Sequence, residues 1–405
     1  MSKDMRKLLI MTTISTIIAS YIGIFVNLFI WEYDHSIAEV SLYNMSMFIS
    51  WGISFTVAAK LLNQFTIRLT LAVSALCGTA AFMYLVMVEF DNRYLWIVLL
   101  GIPVGAMFGF SQASQNLSIA LRGKGSEYAP YFATLMVISQ VISVCVPFVA
   151  AKVIDGYGYS GSFILMLIFV AMMLIFSFFM PRITLSTIDV QDDTSTPSRF
   201  SIRMAFGRPG SKWIILSFLA AGVFMQFQNL FSLLFTFSVT QDKLLIALLN
   251  MVYTICSLLG LWVYRKIKID EMRWLWIGMT LLAVGFLIVL FERPAALIIS
   301  NLITAVGMFF FMTVWNAQQF RFIQHASPVS QASFLVWRES LMVATRCILL
   351  TLTLPLKGMG GTGFMLVIGV TLVCLISIPF FQRRANRVLE SSTSQSMPSP
   401  KEKSY

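Results

Sequence analysis

"FVNLF" at Phe25–Phe29 returns as "FQNLF" at Phe227–Phe231, 202 positions later. Both copies lie inside long apolar runs. "VGAMFGF" at Val104–Phe110 returns as "VGMFFFM" at Val306–Met312, again by 202. The segment that follows the second apolar run, from Ala59, corresponds to one starting at Gly260, offset by 201. A single match in apolar sequence carries little information. Three within one residue of the same spacing predict an internal duplication.

Composition gives the medium in which the two halves sit. Of 405 residues, 58% are hydrophobic and 12% charged, against roughly 25% charged in a soluble protein. Apolar stretches recur at about 8–30, 41–59, 67–88, 94–121, 130–154, 160–181, 213–238, 243–264, 273–291, 295–320, 329–356 and 362–382. Each approaches or exceeds the roughly 20 residues that cross a bilayer as helix. The expected fold is therefore an all-α membrane protein with 12 transmembrane helices in two pseudo-symmetric six-helix bundles. The expected bounds are 1–182 for the first bundle, 183–211 for a polar cytoplasmic linker, 212–388 for the second bundle and 389–405 for a disordered cytoplasmic tail. The run from Leu8 to Trp31 is long enough to span, so no cleaved leader is expected.

Charge sets the expected orientation. With the N-terminus inside, 22 of the 29 Lys and Arg residues fall on the cytoplasmic side and five outside; Arg338 and Arg346 remain within a span. That asymmetry follows the positive-inside rule and puts both termini in the cytoplasm. The net charge of +11 then reports topology, and no nucleic-acid partner is expected. Cys77, Cys145, Cys256, Cys347 and Cys374 are scattered singly, and the two histidines, His35 and His325, are loop residues. Neither set suits a metal, a disulfide framework or an enzyme's catalytic cluster. No cofactor is expected, and no phosphate-binding loop is present to use ATP directly.

Within the spans, one acid stands apart. Seventeen of 18 Asp and Glu residues fall in loops or at span ends. Glu339, in "FLVWRESLMVATR" (Phe334–Arg346), lies about 11 residues or roughly 17 Å into span 11. Arg346 shares its helix face seven residues on, while adjacent Arg338 points about 100° away. An ionised group at mid-bilayer costs about 2.5–3.5 kcal/mol or more, so the cluster needs a partner or a task. Two readings stand. Glu339 takes up protons according to whether an arginine pair is made, with Arg346 as a gate charge or anion site. Alternatively, Glu339 and Arg346 belong to a fixed interhelical ion-pair cluster, while Arg338 snorkels or pairs locally.

Twelve spans, a 6+6 duplication and a long central loop resemble the major facilitator superfamily. Its motif between spans 2 and 3 is matched in place by "AKLLNQFTIR", with Ala59 for the glycine, Asn63 for the aspartate and Arg68 for the last basic residue. "GLWVYRK" in the second half keeps Gly260 and Arg265. The span 5 motif of proton-coupled exporters is matched by "VCVPFVAA", which keeps Pro147 and has Ala150 and Ala151 for a glycine pair. The resemblance implies a secondary transporter whose spans 1, 4, 7 and 10 face a central cavity. Polar residues there are Tyr21, Asn27, Gln112, Gln115, Asn116, Gln226, Asn229, Trp315, Asn316 and Gln318, either lining the cavity or bridging helices.

The function that follows is proton-coupled efflux of an amphipathic small molecule by alternating access, with uptake of a polar solute or flipping of a lipid-linked molecule as alternatives. The expected partners are that small molecule, protons and the lipid bilayer, for a monomer in a cell membrane of bacterial inner-membrane type. Glu32, Asp34 and Glu39 are expected to form a solvated outer loop. Gly101, Gly105 and Gly109 recur every four residues, a spacing for close helix approach.

Overall fold

The computed structural model describes residues 2–122, 125–182, 202–323, 328–356 and 361–396, with Ala326, Gly358 and Met359. Linker residues 183–201, His325 and tail residues 397–405 lie outside the described residues. The helices are α1 (Lys3–Tyr21), α2 (Asn27–Asp34), α3 (Ile37–Gln64), α4 (Ile67–Met87), α5 (Arg93–Arg122), α6 (Gly125–Phe178), α7 (Ile202–Phe206), α8 (Ser211–Val239), α9 (Lys243–Lys266), α10 (Glu271–Ile288), α11 (Pro294–Ile323), α12 (Pro328–Thr353) and α13 (Thr362–Ser396). A π-helical turn, Ile22–Val26, joins α1 to α2 as one span. α6 contains two spans that meet at Gly158, whose φ of 69° favours a residue without a Cβ. With α7 set aside as a short linker helix, these elements make the twelve spans.

Two segments expected to be irregular are helical. α7, in the linker, docks on α12: Ser330 Oγ donates to the Met204 carbonyl at 3.0 Å, and Phe206 lies 5.5 Å from Phe334 between ring centroids. α13 continues to Ser396, because nothing from Gln382 onward breaks the helix before Pro398.

Lipid tails are as apolar as leucine, so these helices associate through close approach and interhelical hydrogen bonds. α5 presents Gly101, Gly105 and Gly109 to α3. A Cβ would stand 2.7 Å from Ser46 Cβ at Gly101 and 2.6 Å from the Trp51 oxygen at Gly109, and at Gly105 it would overlap the Met47 carbonyl oxygen. Ser46 and Ser50 then donate across the seam to the Val98 and Ile102 carbonyls, each at 2.6 Å. In the second half, Gly307, the repeat of Gly105, packs on Gly278 of α10 instead.

The halves meet along α3 with α12 and along α6 with α9. Span 2 against 11 is the repeat image of span 8 against 5, so the seam keeps the pseudo-two-fold symmetry. Among the described residues, hydrogen bonds and ion pairs between the halves all gather at one end. Lys243 Nζ pairs with Glu32 Oε1 at 3.2 Å. Gln241 Nε2 lies 3.2 Å from His35 Nε2, and the Ser41 and Thr353 hydroxyls lie 2.8 Å apart.

Glu39, expected in a solvated loop, is buried at 2% exposure in the first turn of α3. Both its oxygens accept from Arg93 Nε, at 2.9 and 3.0 Å, while Arg93 Nη2 donates to the Ile30 carbonyl at 3.0 Å and its guanidinium stacks on Tyr33. A carboxylate so enclosed needs its counter-charge, and Arg93 binds α2, α3 and α5 together in supplying it.

Two substitutions test this division of packing. Gly105→Val is expected to lower the melting temperature of the detergent-solubilised protein, by overpacking worth about 1–3 kcal/mol, whereas Gly369→Val, with open space around it, should leave it within error. Lys243→Ala removes a half-exposed tie worth about 0.2–1 kcal/mol. Spin labels at exposed Asp91 and Arg293 should then report a longer-distance population, which the exchanged pair Glu32→Lys with Lys243→Glu reverses.

Candidate functional site

Between the halves lies a cavity of about 760 Å³, within the ordinary range for a small-molecule site. It is built around the duplicated sequence. Asn27 and Asn229, the central residues of the two copies, both line it. Two residues turn a helix through about 200°, so the flanking phenylalanines point away from each asparagine. Phe25 and Phe227 are fully buried behind the cavity wall, Phe25 stacked on Tyr21 and Phe227 packed against Phe231 and Phe286. The π-helical turn contributes Ile22, Gly23 and Ile24 to the lining. Its wider coil is a common feature of functional sites.

The amides divide into engaged and open groups. Asn27 Nδ2 donates to the Gly23 carbonyl at 3.0 Å, and its Oδ1 accepts from Asn44 Nδ2 at 2.9 Å. Gln228 donates to Thr304 Oγ1 at 3.1 Å, and Asn250 Nδ2 to the Ile246 carbonyl at 2.9 Å. Gln112, Gln140 and Asn229 line the cavity without a side-chain hydrogen bond to any described residue. On the α3 side, Phe48, Trp51 and Phe108 form a ladder of rings with centroids 5.8 and 5.2 Å apart and planes tilted by 28° and 30°. None of the lining residues is Asp, Glu, Lys, Arg or His.

Of the polar residues expected from spans 1, 4, 7 and 10, Asn27, Gln112, Gln226 and Asn229 line this cavity. The others are placed elsewhere. Tyr21 is buried in the first half's aromatic core, its hydroxyl bonded to Ser162. Gln115 donates to Ser111 Oγ at 2.9 Å within α5, and Trp315 Nε1 donates to Ser217 Oγ at 3.1 Å, joining α11 to α8. Gln318 is buried, and Asn116 and Asn316 are half-buried, all outside the lining. Each lies at least one turn nearer the α5 or α11 C-terminus than the lining residues of its helix, where the cavity has ended. Spans 2, 5 and 8 supply what sequence reasoning missed, including Asn44, Trp51, Gln140, Asn250 and Thr254. Isolated amides inside otherwise apolar spans were the available signal.

The charges of span 11 do not line the cavity. Glu339 is 8% exposed, and its nearest cation is Arg338, at 3.9 Å from Nη2 to Oε2. Arg346, expected to share its face, makes no ion pair with it; its guanidinium instead sits 4.9 Å from the centre of the Phe48 ring. Nε of both arginines lacks a hydrogen-bond partner among the described residues.

Arg68 and Gly260 of the loop motifs contact their own halves. Arg68 Nε donates to the Met180 carbonyl at 2.6 Å, tying α4 to the end of α6. Ala59 and Gly260 are buried, Arg265 is exposed, and Asn63 lies in the last turn of α3 with its side chain outside the described set. Pro147, Ala150 and Ala151 lie buried along α6.

Comparison with known proteins places this architecture. No curated protein sequence matches the chain. Among solved structures, the nucleoside transporter NupG is similar with TM-score 0.65 and 11% identity over 96% of this chain and 100% of that one. A POT family transporter in complex with a thioalcohol-conjugated peptide gives 0.70 and 12% over 94% and 96%. A bacterial homologue of the iron transporter ferroportin in its inward-facing state gives 0.66 and 11% over 95% and 99%. The family model described as Major Facilitator Superfamily matches residues 8–343, and a duplicated twelve-span helical chain enclosing a cavity between its halves belongs to that superfamily of membrane transporters.

Proposed function

We propose that this transporter exports an amphipathic small molecule by alternating access, drawing on the proton gradient. The observation that carries the reading is the central cavity, lined from both halves, with the bonds between the halves that the described residues make gathered at one end. Such a seam opens and closes by exchanging which end is tied. With both termini in the cytoplasm of a cell membrane, as the Lys and Arg distribution favours, the tied end is the outer one and the cavity faces inward.

Glu339 is the proton-carrying group in this proposal. It is the acid deepest in any span, and its helix packs on α3 of the other half. Rocking therefore shears α12 along α3 and changes which α3 side chains face the carboxyl and its arginines, beginning with the Phe48 ring beside Arg346. Proton occupancy and conformation are coupled when the two states differ in those contacts. Cargo from the inner leaflet suits a cavity that mixes amides, rings and methionines. The relatives' cargoes, nucleosides, peptides and iron, are too diverse to carry over to this chain.

The test uses proteoliposomes with trapped pyranine and an imposed pH step. Adding members of a panel of amphipathic compounds should elicit proton flux in the native protein, reduced at least about tenfold in Glu339→Gln at unchanged protein insertion. Equal flux in the variant at every pH moves the coupling to another acid, such as Glu32. Lower accumulation of the same compounds in a sensitised host fixes export; higher accumulation means uptake.

A further inference from the structure

We infer that the cargo is an uncharged, planar aromatic molecule carrying an amide-like hydrogen-bonding edge. The inference rests on the reading of the cavity as the transport site and narrows what that site accepts. Three observations converge on it.

The first is charge. The cavity lining contains no acidic, basic or imidazole side chain, although Arg338, Glu339 and Arg346 lie on a helix that packs against its α3 wall. An ion entering would meet no counter-charge in the lining itself, a penalty that a neutral molecule avoids. The second is shape. Phe48, Trp51 and Phe108 present nearly parallel rings, spaced for offset stacking, along one wall. The glycine seam between α3 and α5 holds that stack of rings in place within one half. Met47, Met308 and Met312 fill part of the remaining lining with side chains that adapt to a ring system's outline.

The third is polarity. Gln112, Gln140 and Asn229 come from three spans, and the side-chain amide of each has no partner among the described residues. Together they offer donors and acceptors from both halves. A lactam, imide or heteroaromatic edge satisfies such a set, whereas an alkyl chain would leave it unpaired. Because Gln112 and Gln140 belong to one half and Asn229 to the other, one planar molecule spanning the cavity would touch both halves. A cargo that bridges the seam favours the rocking state in which both sets of contacts are made.

The experiment is equilibrium binding to the full chain in nanodiscs, with no gradient, using four tricyclic probes. Phenanthridinone is neutral with a lactam edge; phenanthridine is neutral without the donor; ethidium is cationic; phenanthrene-9-carboxylate is anionic. Phenanthridinone is expected to bind at least about tenfold more tightly than either ion. Trp51→Ala should weaken it about 2- to 12-fold, the range expected for removing one stacked ring pair, and Trp51→Phe should recover most of that affinity. Asn229→Ala should weaken phenanthridinone more than phenanthridine. Equal or tighter binding of an ion, an unchanged affinity in Trp51→Ala, or no binding of any probe overturns the inference. Selective binding of phenanthridinone without movement across a proteoliposome membrane leaves the ligand class of the cavity standing and overturns the transport reading instead.

Discussion

Hydrocarbon offers no water to a polar group, and that absence organises this molecule at every scale. At the backbone it requires helix throughout the spans, since only an internally bonded segment crosses without unsatisfied amides. At the side chains it sorts the polar residues into a few allowed places. Serine and threonine hydroxyls return to their own helix carbonyls, as Thr12 does to Leu8 and Ser114 to Phe110. Amides bond to one another, to hydroxyls and to backbone carbonyls, or line the cavity. Charges concentrate in loops and at span ends, apart from the cluster on span 11.

The same medium explains how the helices are held together. Without a hydrophobic force between helices, the α3–α5 seam depends on three glycines and two serine hydroxyls that bring the backbones close. That close pair carries the aromatic ladder, so the place of the ladder in the cavity wall depends on a glycine spacing on one helix and the serines that face it. The seam between the halves is built differently. Its ties among the described residues are a partly exposed ion pair, a histidine–amide contact, a hydroxyl pair and a hydroxyl–thioether contact, each weak alone. The halves thus differ from their seam in the kind of polar contact that joins the helices: backbone approach at glycines on α5, side-chain contacts near one end of the seam.

Arg93 and Arg346 illustrate two uses of arginine in one protein. Arg93 neutralises a buried carboxylate with both oxygens bonded, a fixed arrangement that costs several kcal/mol to break. Arg346 lies over a ring with its Nε unpaired, an arrangement with a smaller cost of rearrangement. The first suits a structural clamp; the second suits a group beside a moving seam.

The sequence by itself determined the number of spans, the duplication and the character of its central motif. Apolar length and a constant 202-residue offset are local properties that need no tertiary contact to be read. Asn27 and Asn229 were legible for that reason, being the polar centres of both copies. The tertiary structure alone decided which polar residues share the cavity. Tyr21, Gln115 and Trp315 look no different in sequence from Asn27, yet helix rotation and depth turn them toward Ser162, Ser111 and Ser217. It also decided that spans 2, 5 and 8 line the site, and that Gly105 and its repeat Gly307 pack on different neighbours. Those outcomes depend on how helices far apart in the chain are rotated against one another, a quantity that no spacing along a single helix encodes.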